Sequence, residues 1–361
     1  MHNDSVRVIR GEDVMAVLAG RAEEVIERVG IAYRLHARGQ SSVPHSTFLR
    51  FPGRPADRII ALPAFLGEGV QAAGIKWIAS VPGNLERGLE RASAVMILND
   101  AVTGHAQAIL EASVISAART AASAALAARV LGGANAGGRV GLIGCGRINL
   151  DVVRYLAAVF PHLEAIDLFD LDPRRAEGFA GQLRTIFPRR RVQVHPSIGA
   201  VLAACPLVSF ATTAGEPHVH DLSMCPPGAT ILHVSLRDLS VECILGADNV
   251  VDDADHVCRA ATSLHLAEQR TGGRGFIRCG IGEILDGAAP ARPDPRGITV
   301  FSPFGLGILD LALAQMVAER AEEAHLGVRV DSFLPAPALG YDRAPAPASG
   351  GAALQSELVA R

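Results

Sequence analysis

Early in the chain, apolar residues recur at helical spacing: Val14, Val17, Leu18, Val25, Ile26 and Val29 form one stripe of a 3.6-residue period. Asp13 stands just ahead of that stripe and can cap its start, so the pattern predicts a helix from Val14 onward. From Ser46 to Glu111 the rhythm shortens. Residues 47–51, 58–62, 74–79, 94–98 and 105–110 are short strand-like runs, and Pro52-Gly53, Pro82-Gly83 and Thr103-Gly104 mark turns between them. This first part is predicted to be an α+β unit.

Ser113–Leu131 is rich in Ala and has no internal Gly or Pro, which predicts a helix by propensity alone. Gly132-Gly133 stops it, and residues 135–138 are expected to loop. A strand at 140–143, a turn at Gly144, a helix to Phe160 and a strand at 165–169 follow, then strands at 192–194, 207–211, 231–234 and 250–252. Such alternation of strand and helix predicts an α/β fold with a Rossmann-type doubly wound parallel sheet. Residues 299–301 form one more strand candidate and 306–324 an apolar-faced helix. Beyond them Pro335, Pro337, Pro345 and Pro347 stand among Ala, Ser and Gly, the composition of an unstructured tail over 335–361.

The formal charge is −3 and the basic residues are scattered, so no nucleic-acid footprint is present. Apolar runs stay well short of the ~18 residues of a membrane span. Met1-His2-Asn3-Asp4 has neither the basic nor the apolar region of a secretory signal, and a cytoplasmic location is expected. The six cysteines contain no C-x-x-C pair and are expected to be reduced core residues. His218 and His220 alternate but have no third ligand at recognisable spacing, so no metal site is expected there.

One residue departs sharply from the rest of the composition. Of the 34 basic residues, Lys76 is the only lysine, and it lies in the apolar strand-like segment Gly74-Ile75-Lys76-Trp77-Ile78. A compact ammonium can shed its proton when buried, whereas a guanidinium cannot, which makes Lys76 the first candidate for chemistry. Gly144-Cys145-Gly146 ends a strand and opens a helix, the setting of a dinucleotide-binding turn, although Asn149 stands where a third small residue is usual. Asp170 closes the next strand at the ~20-residue spacing of a ribose-binding carboxylate and favours NAD over NADP, while Arg174 and Arg175 could instead hold a 2′-phosphate.

Gly74-x-Lys76, Pro82-x-Asn84, Arg119-Thr120-Ala121-Ala122, the Gly144 turn and Thr299-Val300-Phe301 with Gly305 together resemble the ornithine cyclodeaminase and mu-crystallin family. The resemblance implies NAD as cofactor, a small amino-acid-derived substrate and a homodimer. It also implies a substrate and dimerisation domain over 1–118, completed by about 306–334, around a Rossmann domain over 119–305. By it Lys76 matches the substrate-facing lysine, Arg119 the arginine close to both substrate and cofactor, and Asp238, in Ser235-Leu236-Arg237-Asp238, the catalytic aspartate. Arg147, Ile148, Thr212, Ser235 and Leu236 join Gly144, Gly146 and Asp170 as cofactor-binding candidates, and Arg50 joins the substrate-binding ones.

Two positions depart from ornithine cyclodeaminases: Ser46 replaces a substrate cation, and Leu239-Ser240-Val241-Glu242 replaces a Pro-Gly-Lys-like run. Phe48-Leu49-Arg50-Phe51-Pro52 and Ser235-Leu236-Arg237-Asp238 are similar instead to the branch of dehydrogenases that make 2,3-diaminopropionate. That resemblance implies NAD-dependent oxidation of N-(2-amino-2-carboxyethyl)-L-glutamate followed by hydrolysis. A general base such as Asp238 would serve the hydrolysis, and Lys76 would fix a carboxylate or move the amine proton. A simple amino-acid dehydrogenase, an ornithine cyclodeaminase and a non-catalytic nicotinamide-dependent binding protein are the competing readings. Lys76 and Asp238 together favour catalysis, because ligand binding alone needs no general base.

Overall fold

The computed structural model describes residues 4–132 and 137–334. The expected tail over 335–361 lies outside the described residues, as do residues 133–136. Two sheets organise the chain. The first runs in the order Val328–Val330, Val6–Ile9, Ala106–Glu111, Ala92–Asn99, Ala72–Ser80, Arg54–Leu66 and Ser41–Ser42, with Thr47–Phe51 also paired to Arg54–Leu66. It is antiparallel except where Val6–Ile9 runs parallel to Ala106–Glu111.

Strand alternation gives this sheet two different faces. In Ala72–Ser80, residues Gly74, Lys76, Ile78 and Ser80 point one way and Ile75, Trp77 and Ala79 the other. Helix Gly307–Glu323 packs on the Lys76 side, and Gly74 is what lets it close: a Cβ there would strike the Ile97 carbonyl and lie 3.3 Å from Leu311 Cδ1.

The second sheet is wholly parallel: Arg191–Val194, Ala165–Phe169, Arg139–Ile143, Leu207–Phe210, Thr230–His233, Thr299–Ser302, Asp248–Val251 and Ile277–Gly280. Strand order reverses between Arg139–Ile143 and Leu207–Phe210, and in such sheets ligands bind outside the carboxyl ends of the strands at that reversal. Helix Ser113–Leu131 is long and apolar enough by composition to cross a membrane, yet Ala121, Ala122, Ala124, Ala125, Ala127 and Ala128 are fully buried in the protein core.

Several expectations are corrected. The early helical stripe is two helices, Gly11–Leu18 and Ala22–Ala37, because the chain turns at Gly20 with φ +73°. Asp13 is not ahead of the first helix but inside it, where its carboxylate accepts the backbone N–H of Arg10 at 3.1 Å. Arg54–Leu66 extends past the expected 58–62, since its Pro63 sits within the strand.

Candidate active site

Lys76 is 1% exposed, and its Nζ donates to Asp310 Oδ2 at 2.7 Å and to Ser116 Oγ at 3.2 Å. Arg119, one turn after Ser116 on helix Ser113–Leu131, donates Nε to the other oxygen, Asp310 Oδ1, at 3.2 Å. One buried carboxylate thus holds both cations. Burial pulls the Lys76 ammonium down to about 8, because the attraction of Asp310 does not offset lost hydration and the repulsion of Arg119. For Asp310 the balance is reversed: burial raises its pKa, but Arg119 and Lys76 outweigh it and keep the carboxyl below its ordinary value.

Asp310 is absent from the sequence-derived candidates. Its signal was present: it is the single charge in the otherwise apolar opening of helix Gly307–Glu323, and a carboxylate in a first helical turn is also favoured by the helix dipole.

Arg119 reaches the second sheet through Gly305, in the loop that leaves the carboxyl end of Thr299–Ser302. Gly305 has φ +92°, which requires glycine, and a Cβ there would lie 2.6 Å from Arg119 Nη1, so the guanidinium packs directly on this turn. The loop is itself clamped by Asp252, whose carboxylate accepts Gly305 N–H at 2.7 Å and Phe304 N–H at 2.9 Å. Asp252 is a further residue that sequence reasoning missed.

At the same edge stands the expected dinucleotide turn. Gly144 has φ +91°, and a Cβ on it would lie 2.6 Å from the Ala211 carbonyl oxygen, whereas a Cβ on Gly146 would meet nothing within 4 Å. Open space therefore lies at the N-terminus of helix Arg147–Val159, where backbone N–H groups suit a pyrophosphate. Asp170 accepts Cys145 N–H at 2.8 Å and Asp172 N–H at 3.0 Å, tying this carboxylate to the turn. The residues present fit a dinucleotide.

Asn149 explains its own departure from the usual fingerprint. Fully buried, it donates Nδ2 to the carbonyls of Ile143 at 2.9 Å and Gly144 at 2.7 Å, and its Oδ1 accepts from Ser209 Oγ at 2.8 Å. Of the other cofactor candidates, Arg147 pairs with Asp151 at 2.8 Å and Ile148 is half-buried beside it.

Asp238 lies buried at the ends of the central strands. Its two oxygens accept the hydroxyls of Thr212 and Ser235, His233 Nε2 lies 3.2 Å from its backbone N and 3.4 Å from Oδ2, and His218 Nε2 is 3.8 Å from Oδ1. Burial raises its pKa, but His233, Ser235 and Thr212 more than cancel this, and the carboxyl stays ionised with a lowered pKa. Leu236, between Ser235 and Asp238, holds φ +69°, a strained conformation for a branched side chain of the kind that gathers at functional sites. His218 and His233 are partners of the site that the sequence did not reveal as such.

The structure therefore joins Lys76 to Arg119 through Asp310, Asp238 to Thr212 and Ser235, and, through the Cys145 N–H, the Gly144 turn to Asp170. Among the described residues no hydrogen bond or ion pair joins Lys76 to Asp238. Arg50 is exposed on Thr47–Phe51, its guanidinium 5.5 Å from the Phe48 ring, apart from the Lys76 cluster.

A dinucleotide turn beside a buried lysine–carboxylate–arginine cluster defines a nicotinamide-dependent dehydrogenase type of site. The ornithine cyclodeaminase/mu-crystallin family model matches residues 8–325, and the chain belongs to that family. It is 27% identical over 338 residues to N-((2S)-2-amino-2-carboxyethyl)-L-glutamate dehydrogenase of Staphylococcus aureus, covering 92% of this chain and 100% of that one. Alanine dehydrogenase of Archaeoglobus fulgidus is 26% identical over 337 residues, covering 90% and 98%. Among solved structures, Thermococcus litoralis Δ1-pyrroline-2-carboxylate reductase in complex with NADH and L-proline superposes with a TM-score of 0.83 at 26% identity, covering 90% and 100%.

Proposed function

We propose that this protein oxidises N-(2-amino-2-carboxyethyl)-L-glutamate with NAD and hydrolyses the resulting imine to L-2,3-diaminopropionate and 2-oxoglutarate. The chain is an NAD-dependent oxidoreductase acting on CH–NH bonds. The observation that carries the substrate-side reading is the Lys76–Asp310–Arg119 cluster, whose arginine packs on Gly305 at the carboxyl edge of the parallel sheet. The kinship to the Staphylococcus aureus dehydrogenase supports the same substrate.

Held at the Gly144 turn and Asp170, NAD would supply the hydride acceptor for oxidation at the glutamyl α-carbon. Lys76 Nζ has one N–H left after Asp310 and Ser116, and with the Arg119 guanidinium it holds the carboxylate beside that carbon. Departure of the hydride leaves a protonated C=N bond whose positive charge the ionised Asp238 stabilises. Water adds to that carbon, one of its protons leaves to solvent and the other passes to the nitrogen, and the C–N bond breaks to give the ketone and the primary amine. His218, beside Asp238 and partly exposed, is placed to pass protons to solvent.

In this reading residues 1–118 with about 306–334 form the substrate and dimerisation part, and 119–305 the NAD part. The protein works as a cytoplasmic homodimer that supplies siderophore or peptide-antibiotic assembly. The test is NADH formation with the synthetic substrate, with both products identified by mass spectrometry. NADH from L-alanine but not from the tricarboxylate would replace the reading with alanine dehydrogenase, and proline formed from L-ornithine would replace it with a cyclodeaminase.

A further inference from the structure

Helix Gly307–Glu323 covers only part of the sheet face that carries Lys76. It begins over Leu62, the residue opposite Lys76, since a Cβ on Gly307 would lie 3.2 Å from the Leu62 carbonyl, and it runs toward Gly74. In the other direction that helix leaves the face uncovered. Ser80 lies there on the same strand and face as Lys76, four residues and about 13 Å away.

Register places Arg58 directly opposite Ser80, and Arg50 directly opposite Arg58. Side chains at such positions share one side of the sheet, so Arg50, Arg58 and Ser80 form a row across three strands. Arg237, in the strained turn next to Asp238 after strand Thr230–His233, and Arg91 lie close enough for their charges to act on Arg58 together with that of Arg50. Among the described residues the leading charges acting on Arg58 are those of Arg50, Arg91 and Arg237, and burial with these three arginines holds its pKa below the ordinary value. Arg237 has committed one N–H, donated by Nη2 to the Ala260 carbonyl at 2.7 Å.

Two polar atoms in this row are unmet. Arg58 Nε and Ser80 Oγ are buried without a hydrogen-bond partner, and they are cross-strand neighbours. Unpaired buried donors beside converging like charges are costly, and an anion would relieve both costs at once.

We propose that Arg58 and Ser80, flanked by Arg50 and Arg237, bind a second carboxylate of the substrate, the one at the far end of the glutamyl side chain, while Lys76 and Arg119 hold the carboxylate beside the reacting carbon. The assignment rests on the reading above for the identity of the substrate. It supplies from strand Arg54–Leu66 the cation that Ser46 does not, and a substrate such as alanine has no group to fill it.

Calorimetric titration of the NAD-loaded protein with glutarate, a dicarboxylate of matching length, tests the subsite without turnover. Arg58→Gln and Arg237→Gln are each expected to weaken glutarate at least ~10-fold, the usual effect of losing a charge-assisted hydrogen bond, with NAD affinity unchanged. Ser80→Ala should weaken it by a smaller factor, and it carries the test should Arg58→Gln not fold. With the tricarboxylate substrate, KM should rise by the same factors while kcat stays within a few-fold. Absence of glutarate binding to the wild-type protein, or equally tight binding to Arg58→Gln, overturns the subsite. Glutarate binding that depends on Arg58 without turnover of the tricarboxylate keeps the subsite and removes the substrate reading. Turnover with an unchanged KM in Arg58→Gln removes the subsite and keeps the reading.

Discussion

The chemistry of the single lysine follows from what surrounds it. With Nζ buried between Asp310 and Ser116, a proton leaves at pH about 8 rather than near 10.5. If the ammonium grips the substrate carboxylate, that grip is complete below pH 8 and lost above it, so KM for the substrate is expected to rise as pH passes about 8. Steady-state kinetics across that range check this, and a kcat/KM that climbs through pH 8 instead would make Lys76 the base. The same depression affects stability with a definite sign. Between about 8 and 10.5 the unfolded chain holds a proton that the folded one has shed, so this residue's contribution to stability rises with pH in that window. Lys76→Arg keeps the charge but not the compact head, and should lower turnover by at least ~100-fold with NAD affinity retained. A second residue-scale expectation concerns Asp170. Fixed by the N–H groups of Cys145 and Asp172, its carboxylate should make NAD bind at least ~10-fold tighter than NADP, by titration of both, and Asp170→Ala should narrow that gap.

At the scale of elements, what could be read from the sequence was set by how local the cause is. Apart from Ile277–Gly280, which the pattern did not reveal, the parallel strands, the Gly144 turn and helix Ser113–Leu131 follow from runs of adjacent residues, and they lie close to where the pattern put them. Strands Val6–Ile9 and Val328–Val330 escaped because each is short and exists by pairing with distant chain. Lys76 and Asp238 stood out by composition or motif, but Asp310 could not be tied to Lys76 from the chain alone: 234 residues separate them, and only the packing of Gly307–Glu323 on Gly74 joins them. Asn149 looked like a defect in a glycine fingerprint, yet it is a strut between helix Arg147–Val159 and two carbonyls of the turn. Asn149→Gly should therefore weaken rather than repair the element. It leaves Ser209 and both carbonyls without that partner, and thermal or urea unfolding should show a loss of about 1–3 kcal/mol together with weaker NAD binding. Unchanged stability would mean that the turn holds its shape by glycine geometry alone.

For the whole molecule, the first sheet has a second face to account for. Opposite Lys76, register aligns Trp77 with Val95 and with Ala61, and puts Leu49 and Phe65 on the same side. Trp77, Val95, Leu49 and Phe65 are 42%, 43%, 41% and 38% exposed, an apolar surface on the side away from the chemistry. Large apolar side chains exposed along one sheet face mark interaction sites, and a second copy of the chain would cover this face by a two-fold arrangement in which the same surface meets itself. The protein is expected to be a dimer at micromolar concentration by light scattering. Trp77→Glu should give a monomer with an unchanged circular-dichroism spectrum, since the side chain points away from the core that Lys76 faces. Trp77 is also the only tryptophan, so dilution of the wild-type protein below its dissociation constant should shift its emission to the red as the ring enters water. A dimer that survives Trp77→Glu with no such shift would place the contact elsewhere.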